Sequence, residues 1–129
     1  LIGGGHDGYC YFWNLNNFQL IEKIKCTNDH IHCIQSIDFN IFATGGNYDT
    51  IHIWTYNNFS KQMGEIVNRP TTKHTQNFVF WNSTLYLRGN DAFLNRYDKL
   101  KNYQEITPRY ELSDDIKSID SFERNRKFV

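Results

Sequence analysis

Hydrophobic positions in this chain fall in short runs, and none recurs at helical spacing long enough to predict a helix of ten residues. Cys10-Tyr11-Phe12-Trp13, Ile51-His52-Ile53-Trp54 and Phe93-Leu94-Asn95-Arg96-Tyr97 are rich in aromatic or β-branched residues, and each follows a cluster of Gly, Asn and Asp. Strand formers placed directly after turn formers predict strands inside a sheet. Neighbouring strands are expected near 20–25, 31–37, 41–45, 61–66, 77–81, 84–88, 102–106 and 115–120. Breaks are expected where turn chemistry concentrates, at Asn16-Asn17, Asn57-Asn58, Asn68-Arg69-Pro70 and Thr107-Pro108.

The runs are copies of one another. Residues 1 to 18, LIGGGHDGYCYFWNLNNF, lie over residues 42 to 59, FATGGNYDTIHIWTYNNF, at a constant shift of 41. Gly4 meets Gly45, Gly5 meets Gly46, and Trp13 meets Trp54. A more diverged third copy, residues 85 to 100, follows at a further shift of 43, with Gly89 on Gly46 and Tyr97 in the Trp position. Ile34-Gln35-Ser36-Ile37-Asp38 also returns 82 residues later as Ile116-Lys117-Ser118-Ile119-Asp120. The repeat phases are about 1–41, 42–84 and 85–129, with about four strands in each. Self-similarity at this period marks an array of units that bury their apolar faces against one another.

Composition agrees with strands: aromatics make up 16%, and Ala occurs only at positions 43 and 92. Lys+Arg 14 against Asp+Glu 14 gives a formal net charge of 0, so neither nucleic acid nor an anionic membrane is an expected partner. No apolar run approaches the roughly 18 residues of a membrane helix, and the first residues do not read as a signal peptide. Cys10, Cys26 and Cys33 cannot all pair and are too sparse for a disulfide scaffold, so an intracellular setting, cytoplasmic or nuclear, is expected. Fifteen Asn and thirteen Ile indicate an A+T-rich coding bias and point loosely to a eukaryotic, protist source.

Taken together, the period, the turn and the closing aromatic resemble the WD40-repeat β-propellers. Gly45-Gly46 followed by Thr50-Ile51-His52-Ile53-Trp54 is the strongest copy, and Gly4-Gly5-His6-Asp7-Gly8 followed by Trp13 keeps an Asp six residues before the Trp. Asp91 stands six before Tyr97 in the same way, and His30 and His74 lie 24 and 23 residues before their aromatics. The resemblance implies an all-β, WD40-like propeller with about three four-stranded antiparallel blades of a larger ring. It also implies a hydrogen-bonded tetrad, here His30, Thr44, Asp49 and Trp54. The sequence departs from the family where Asn14 and Thr55 follow the two Trp residues and Tyr48 takes the usual Asp place. Because propellers close with about four to eight blades, the chain is expected to be an internal part of a longer one.

A second architecture, the β-trefoil, also closes with three repeats of this length and would suggest a carbohydrate-binding module, although no Gln-x-Trp signature occurs. Gly3-Gly4-Gly5-His6-Asp7-Gly8 fits the spacing G-x-G-x-x-G, but a strand follows it, so no helix N-terminus is expected to receive a phosphate. Those glycines are expected to serve a turn of positive φ and close strand packing. Cys26, His30, His32 and Cys33 offer four zinc-binding side chains at a spacing that fits no established finger, and no metal or cofactor is expected. Asp114-Asp115 reads as a solvated turn rather than a catalytic pair, and Arg124, Arg126 and Lys127, interleaved with Glu123, as a solvated loop. The acceptor triplets Asn58-Phe59-Ser60 and Asn82-Ser83-Thr84 are expected to stay bare in an intracellular protein.

Loops held by a rigid scaffold are where recognition concentrates. The resemblance therefore implies a non-catalytic scaffold that docks other proteins or peptides, within a multiprotein complex, through residues flanking the turns. The candidates are His6, Tyr9, Asn47, Tyr48, Asp49, Asn90 and Asp91. An enzyme with a propeller-borne site would instead require acidic residues gathered around one cavity.

Overall fold

A computed structural model describes residues 1–47, 49–71, 74–89 and 93–111, together with the backbone of 121–122 and 127–128. Tyr48, Asn90, Asp91, Asp114, Asp115, the strand expected at 115–120, Arg124 and Arg126 lie outside the described residues. Strands β1 (Ile2–Gly4), β2 (Tyr9–Trp13) and β3 (Leu20–Lys25) form one antiparallel sheet in the order β1-β2-β3. A second comprises β4 (Ile31–Asp38), β5 (Ile41–Gly46), β6 (Thr50–Asn57) and β7 (Gln62–Pro70), in chain order. The third comprises β8 (Thr75–Trp81), β9 (Thr84–Gly89), β10 (Phe93–Asp98), β11 (Gln104–Glu105) and β12 (Tyr110–Glu111), with both β11 and β12 on β10. A short hairpin pairs β13 (Ser121–Phe122) with β14 (Lys127–Phe128). The described helical structure is one 3-10 turn, Lys99–Lys101.

Among the described residues the three larger sheets hold three, four and five strands, where about four in each were expected. In the third, Tyr97 and Asp98 pair with β11 while Phe93 and Leu94 pair with β12, so one outer strand is split in two. Pro108 sits in the gap and has no N–H to offer a ladder. A second correction concerns Asn68-Arg69-Pro70, where a break was expected. β7 continues through it, pairing Asn68 with His52 and Pro70 with Thr50, and places the proline at the strand's last position.

The register obeys the repeat. Phe42 pairs with Trp54 and Leu85 with Tyr97, while Trp13 N donates to the Leu1 carbonyl at 2.8 Å. Each aligned aromatic therefore faces the aligned residue of the preceding strand. The second sheet is covered on both sides, so neighbouring β5 residues, which point to opposite faces, are all sheltered from Phe42 to Gly46. Phe42 joins Cys10, Phe12, Ile31 and Tyr56 between the first and second sheets. Ala43 joins Ile51, Ile53, Phe78, Leu85, Leu87 and Tyr97 between the second and third. The outer strand β7 is exposed except at Met63, Val67 and Arg69, which are half-buried, with a register shift beside Ile66.

Gly3 and Gly4 lie in β1 and Gly45 and Gly46 in β5, whereas Gly5 and Gly8 belong to the turn between β1 and β2, and among described glycines only Gly8 has positive φ, at 81°. Close approach explains Gly45: a Cβ there would lie 2.6 Å from Cβ of the buried Thr75. Gly45→Ala should therefore lower stability by about 1–3 kcal/mol through overpacking. Gly3, where a Cβ meets open space, should accept Ala with a change within about 1 kcal/mol, in the stabilising direction. Urea denaturation midpoints check the pair; equal midpoints for Gly45→Ala and wild type would refute the close-contact account.

Candidate functional site

Three connections meet at one end of the first two sheets: the β1–β2 turn, the segment from β3 to β4, and the β5–β6 turn. Their backbones interlock, with Ile31 N donating to the Gly5 carbonyl at 3.1 Å and Asn47 N to the His30 carbonyl at 3.3 Å. This brings three imidazoles together. His6 and His30 stack with centroids 4.5 Å apart and planes 5° from parallel. His32 stands edge-on to both, at 6.4 and 6.1 Å. Asn47 clips the group: its Oδ1 is hydrogen-bonded to His32 Nε2 and its Nδ2 lies 3.3 Å from His30 Nδ1. With the amide so oriented, His32 donates through Nε2–H and His30 accepts at Nδ1. The exposed edges of His6 and His32 face solvent.

Beside this cluster the turn carries a second polar group. Asp7 accepts from Tyr9 N at 3.1 Å and from the Tyr11 hydroxyl. These two bonds, Tyr11 first, hold its carboxyl below the usual carboxylate range, and the same partnership pushes the Tyr11 phenol up. The Tyr9 ring lies under two ammonium groups, Lys23 Nζ at 4.6 Å and Lys25 Nζ at 5.0 Å from its centroid. Such placements attract through the negative ring face. Lys25 Nζ also donates to the Asp7 carbonyl at 2.9 Å.

The expected tetrad residues are distributed differently from one connected chain. Trp54 Nε1 donates to Thr44 Oγ1 at 2.9 Å. His30, however, is engaged by Asn47, His6 and His32, and the Asp49 backbone carbonyl takes the Thr71 N–H at 2.8 Å. The half-buried Trp54 ring stacks instead on His52, at 5.4 Å and 22°, and His52 Nδ1 meets the Glu65 carboxylate, which also accepts from Asn68 at 3.0 Å. In the first copy Gly3 stands in the Thr44 place and offers no hydroxyl, and Trp13 at the end of β2 is 37% exposed. In the third, Leu87 holds that place and Tyr97 is fully buried, its hydroxyl 3.5 Å from the Pro70 carbonyl and its phenol pushed up by burial. His74 lies exposed just before β8.

The four side chains weighed for zinc are split between environments. Cys26 Sγ is 2.6 Å from Cys10 Sγ, whereas Cys33 Sγ lies 3.8 Å from the Gly45 carbonyl on the far side of the second sheet. Among the described residues no group of three His, Cys, Asp or Glu is arranged to hold a metal ion. A groove of about 370 Å³ lies toward the other end of β4, between Leu1, Ile2, Ile34 and Phe42, with Asp38 as its titratable side chain. Sequence reasoning missed the roles of His52, Glu65, Tyr11 and Asn47 as a clip. The period-two spacing of His30 and His32 did signal a shared face, but their partners His6 and Asn47 come from two other connections.

No family model matches this chain, and no curated protein matches it. Its backbone is similar to that of the computationally designed Ika8 protein, with a TM-score of 0.74 at 17% identity. The likeness covers 95% of this chain and 37% of the designed protein, so this chain spans little more than a third of that molecule. At this identity the likeness concerns the fold. Among the described residues no helix is long and apolar enough to cross a membrane.

Two measurements test these assignments. Thr44→Val keeps the shape and removes the acceptor of Trp54 Nε1, so it should cost about 1–3 kcal/mol in chemical denaturation. A smaller loss at Thr44→Ser, which keeps the hydroxyl, should accompany it. Glu65 is subject to a burial effect that raises its pKa, but bonds from His52 and Asn68 outweigh it and leave the carboxyl below its ordinary value of 4.5. A carboxyl depressed in the folded state contributes stability above its unfolded pKa, and that contribution disappears as pH falls through the folded value. The stability gap between wild type and Glu65→Gln should therefore shrink from about pH 6 to about pH 3. A gap independent of pH would contradict the hydrogen-bonded carboxylate held by His52 and Asn68.

Proposed function

We propose that this chain is part of a WD40-like β-propeller that acts as a non-catalytic scaffold, docking other proteins or peptides within a multiprotein complex through its loop ends. The gathering of residues from three separate connections into one surface, His6, His30, His32 and Asn47 with Tyr9 beside them, carries this reading. Open antiparallel sheets packed face to face, with the repeat's aromatic on an internal strand of each, support the propeller over a closed threefold barrel. The surface combines stackable rings with neutral donors and acceptors. Rigid aromatic and amide groups of this kind recognise peptide backbone and side chains without needing a net charge.

Nucleic acid and membrane surfaces are not the proposed partners. The lysines at the site are committed to Tyr9 and to the Asp7 carbonyl, so they do not form a basic stripe. Selection from a random peptide library on the immobilised protein should yield binders whose affinity drops about tenfold or more, roughly 1.4 kcal/mol, in His6→Ala and Asn47→Ala. Phe59→Ala, on an exposed turn at the other end of the sheet, should leave it unchanged. Binders that ignore the first two changes, or a glycan array with reproducible ligands, would refute the reading.

A further inference from the structure

Cys10 and Cys26 lie outside the surface just described. Cys10 is on β2, opposite Ile24 of β3, and Cys26 follows two residues after Ile24. The Cys26 N–H donates to the Gly8 carbonyl at 2.9 Å, continuing the ladder past the strand end. Positions two apart on a strand share a face, so both thiols turn toward the second sheet, where Met63 Sδ is 4.0 Å from Cys26 Sγ. Cys10 is fully buried and Cys26 partly exposed. Their sulfurs are 2.6 Å apart, close to the S–S bond length of about 2.05 Å.

We propose that Cys10 and Cys26 are a redox-active dithiol that a hydroperoxide converts into an intrachain disulfide, with the accessible Cys26 reacting first and the buried Cys10 resolving it. Cys26 Sγ, having lost its proton, attacks the peroxide oxygen. The O–O bond breaks, and the departing hydroxide takes up a proton as water, leaving Cys26 as a sulfenic acid oxidised by two electrons. Cys10 Sγ then displaces hydroxide from the Cys26 sulfur. Its own proton leaves with that hydroxide as a second water, and the S–S bond forms. Two thiols and one hydrogen peroxide thus become one disulfide and two waters.

The surroundings favour this order. The sulfur–sulfur hydrogen bond lowers the Cys26 pKa, aided by the charge of Lys25, and the same bond together with burial raises that of Cys10. Cys33 provides an internal contrast: burial pushes its thiol up to about 12, and its sulfur meets the Gly45 and Thr75 carbonyls rather than another thiol. The bond would tie β2 to the segment leading to His30.

The test treats the reduced full chain with hydrogen peroxide and reads intact mass and a proteolytic map. The expected result is a loss of about 2 Da, a Cys10–Cys26 linked peptide, Cys33 still open to alkylation after denaturation, and reversal by a thiol reductant. The oxidised form should show a higher urea midpoint. Cys33→Ser should behave as wild type, and Cys10→Ala should stop at a Cys26 sulfenic acid trapped by dimedone. A bond involving Cys33, a bond between two chains, or conversion of Cys26 to sulfinic acid with Cys10 unlinked in the wild type would overturn the proposal.

Discussion

Burial of β5 on both faces is the constraint from which the arrangement follows. A strand at a protein surface can alternate apolar and polar residues, but one covered from both sides must suit two neighbours at once. β5 does this with Phe42 toward the first sheet, Ala43 toward the third, and glycine where Thr75 approaches. At about 1.5–3 kcal/mol for each large apolar side chain buried, these packed faces outweigh anything the polar groups at the strand ends contribute.

That ranking explains why the polar networks vary while the register persists. Trp13, Trp54 and Tyr97 end up opposite corresponding residues, yet only the second copy offers the aromatic a threonine hydroxyl on the neighbouring strand. In the first copy the place is Gly3, and the aromatic is left at the rim. In the third it is Leu87, and Tyr97 sinks fully into the core with its hydroxyl near Pro70. A side-chain hydrogen bond contributes about 1 kcal/mol net, so its loss can be absorbed by better burial without moving a strand.

The strands were legible because their signal is local: alternating aromatic and β-branched runs after turn residues placed β2, β3, β5, β6 and β9 nearly where they lie. The break at Thr107-Pro108 was legible, but not that β12 beyond it returns to the same partner strand, since that depends on which residues of β10 remain unpaired after β11 ends. Gly45 shows the same limit. Its sequence context suggests a turn, and its reason for being glycine is Thr75, thirty residues away in the next sheet. The candidate surface was half legible: His6 and Asn47 could be assigned to turns by the repeat, but the stacking of His6 on His30 is a contact between the first sheet's turn and the segment entering the second sheet. A hydrogen-bonded tetrad inferred from one copy could not anticipate that His30 would be drawn away by Asn47.

The β1–β2 turn shows how one backbone conformation can organise several side chains. Gly8 N closes the turn on the Gly5 carbonyl at 3.1 Å, and the Gly8 carbonyl accepts from both Cys26 and Thr27. Its positive φ favours glycine, and a Cβ would collide with the Thr27 carbonyl. On one side the turn presents His6 to His30; at its centre it aims Asp7 at Tyr11; across the strand it fixes Cys26 beside Cys10. Cys10 is fully buried among them, and the others are exposed or half-buried. Their common support is the ladder from β2 to β3, extended past its end by Gly8. The proposed docking surface and the proposed dithiol therefore rest on the same backbone hydrogen bonds, without any side chain in common.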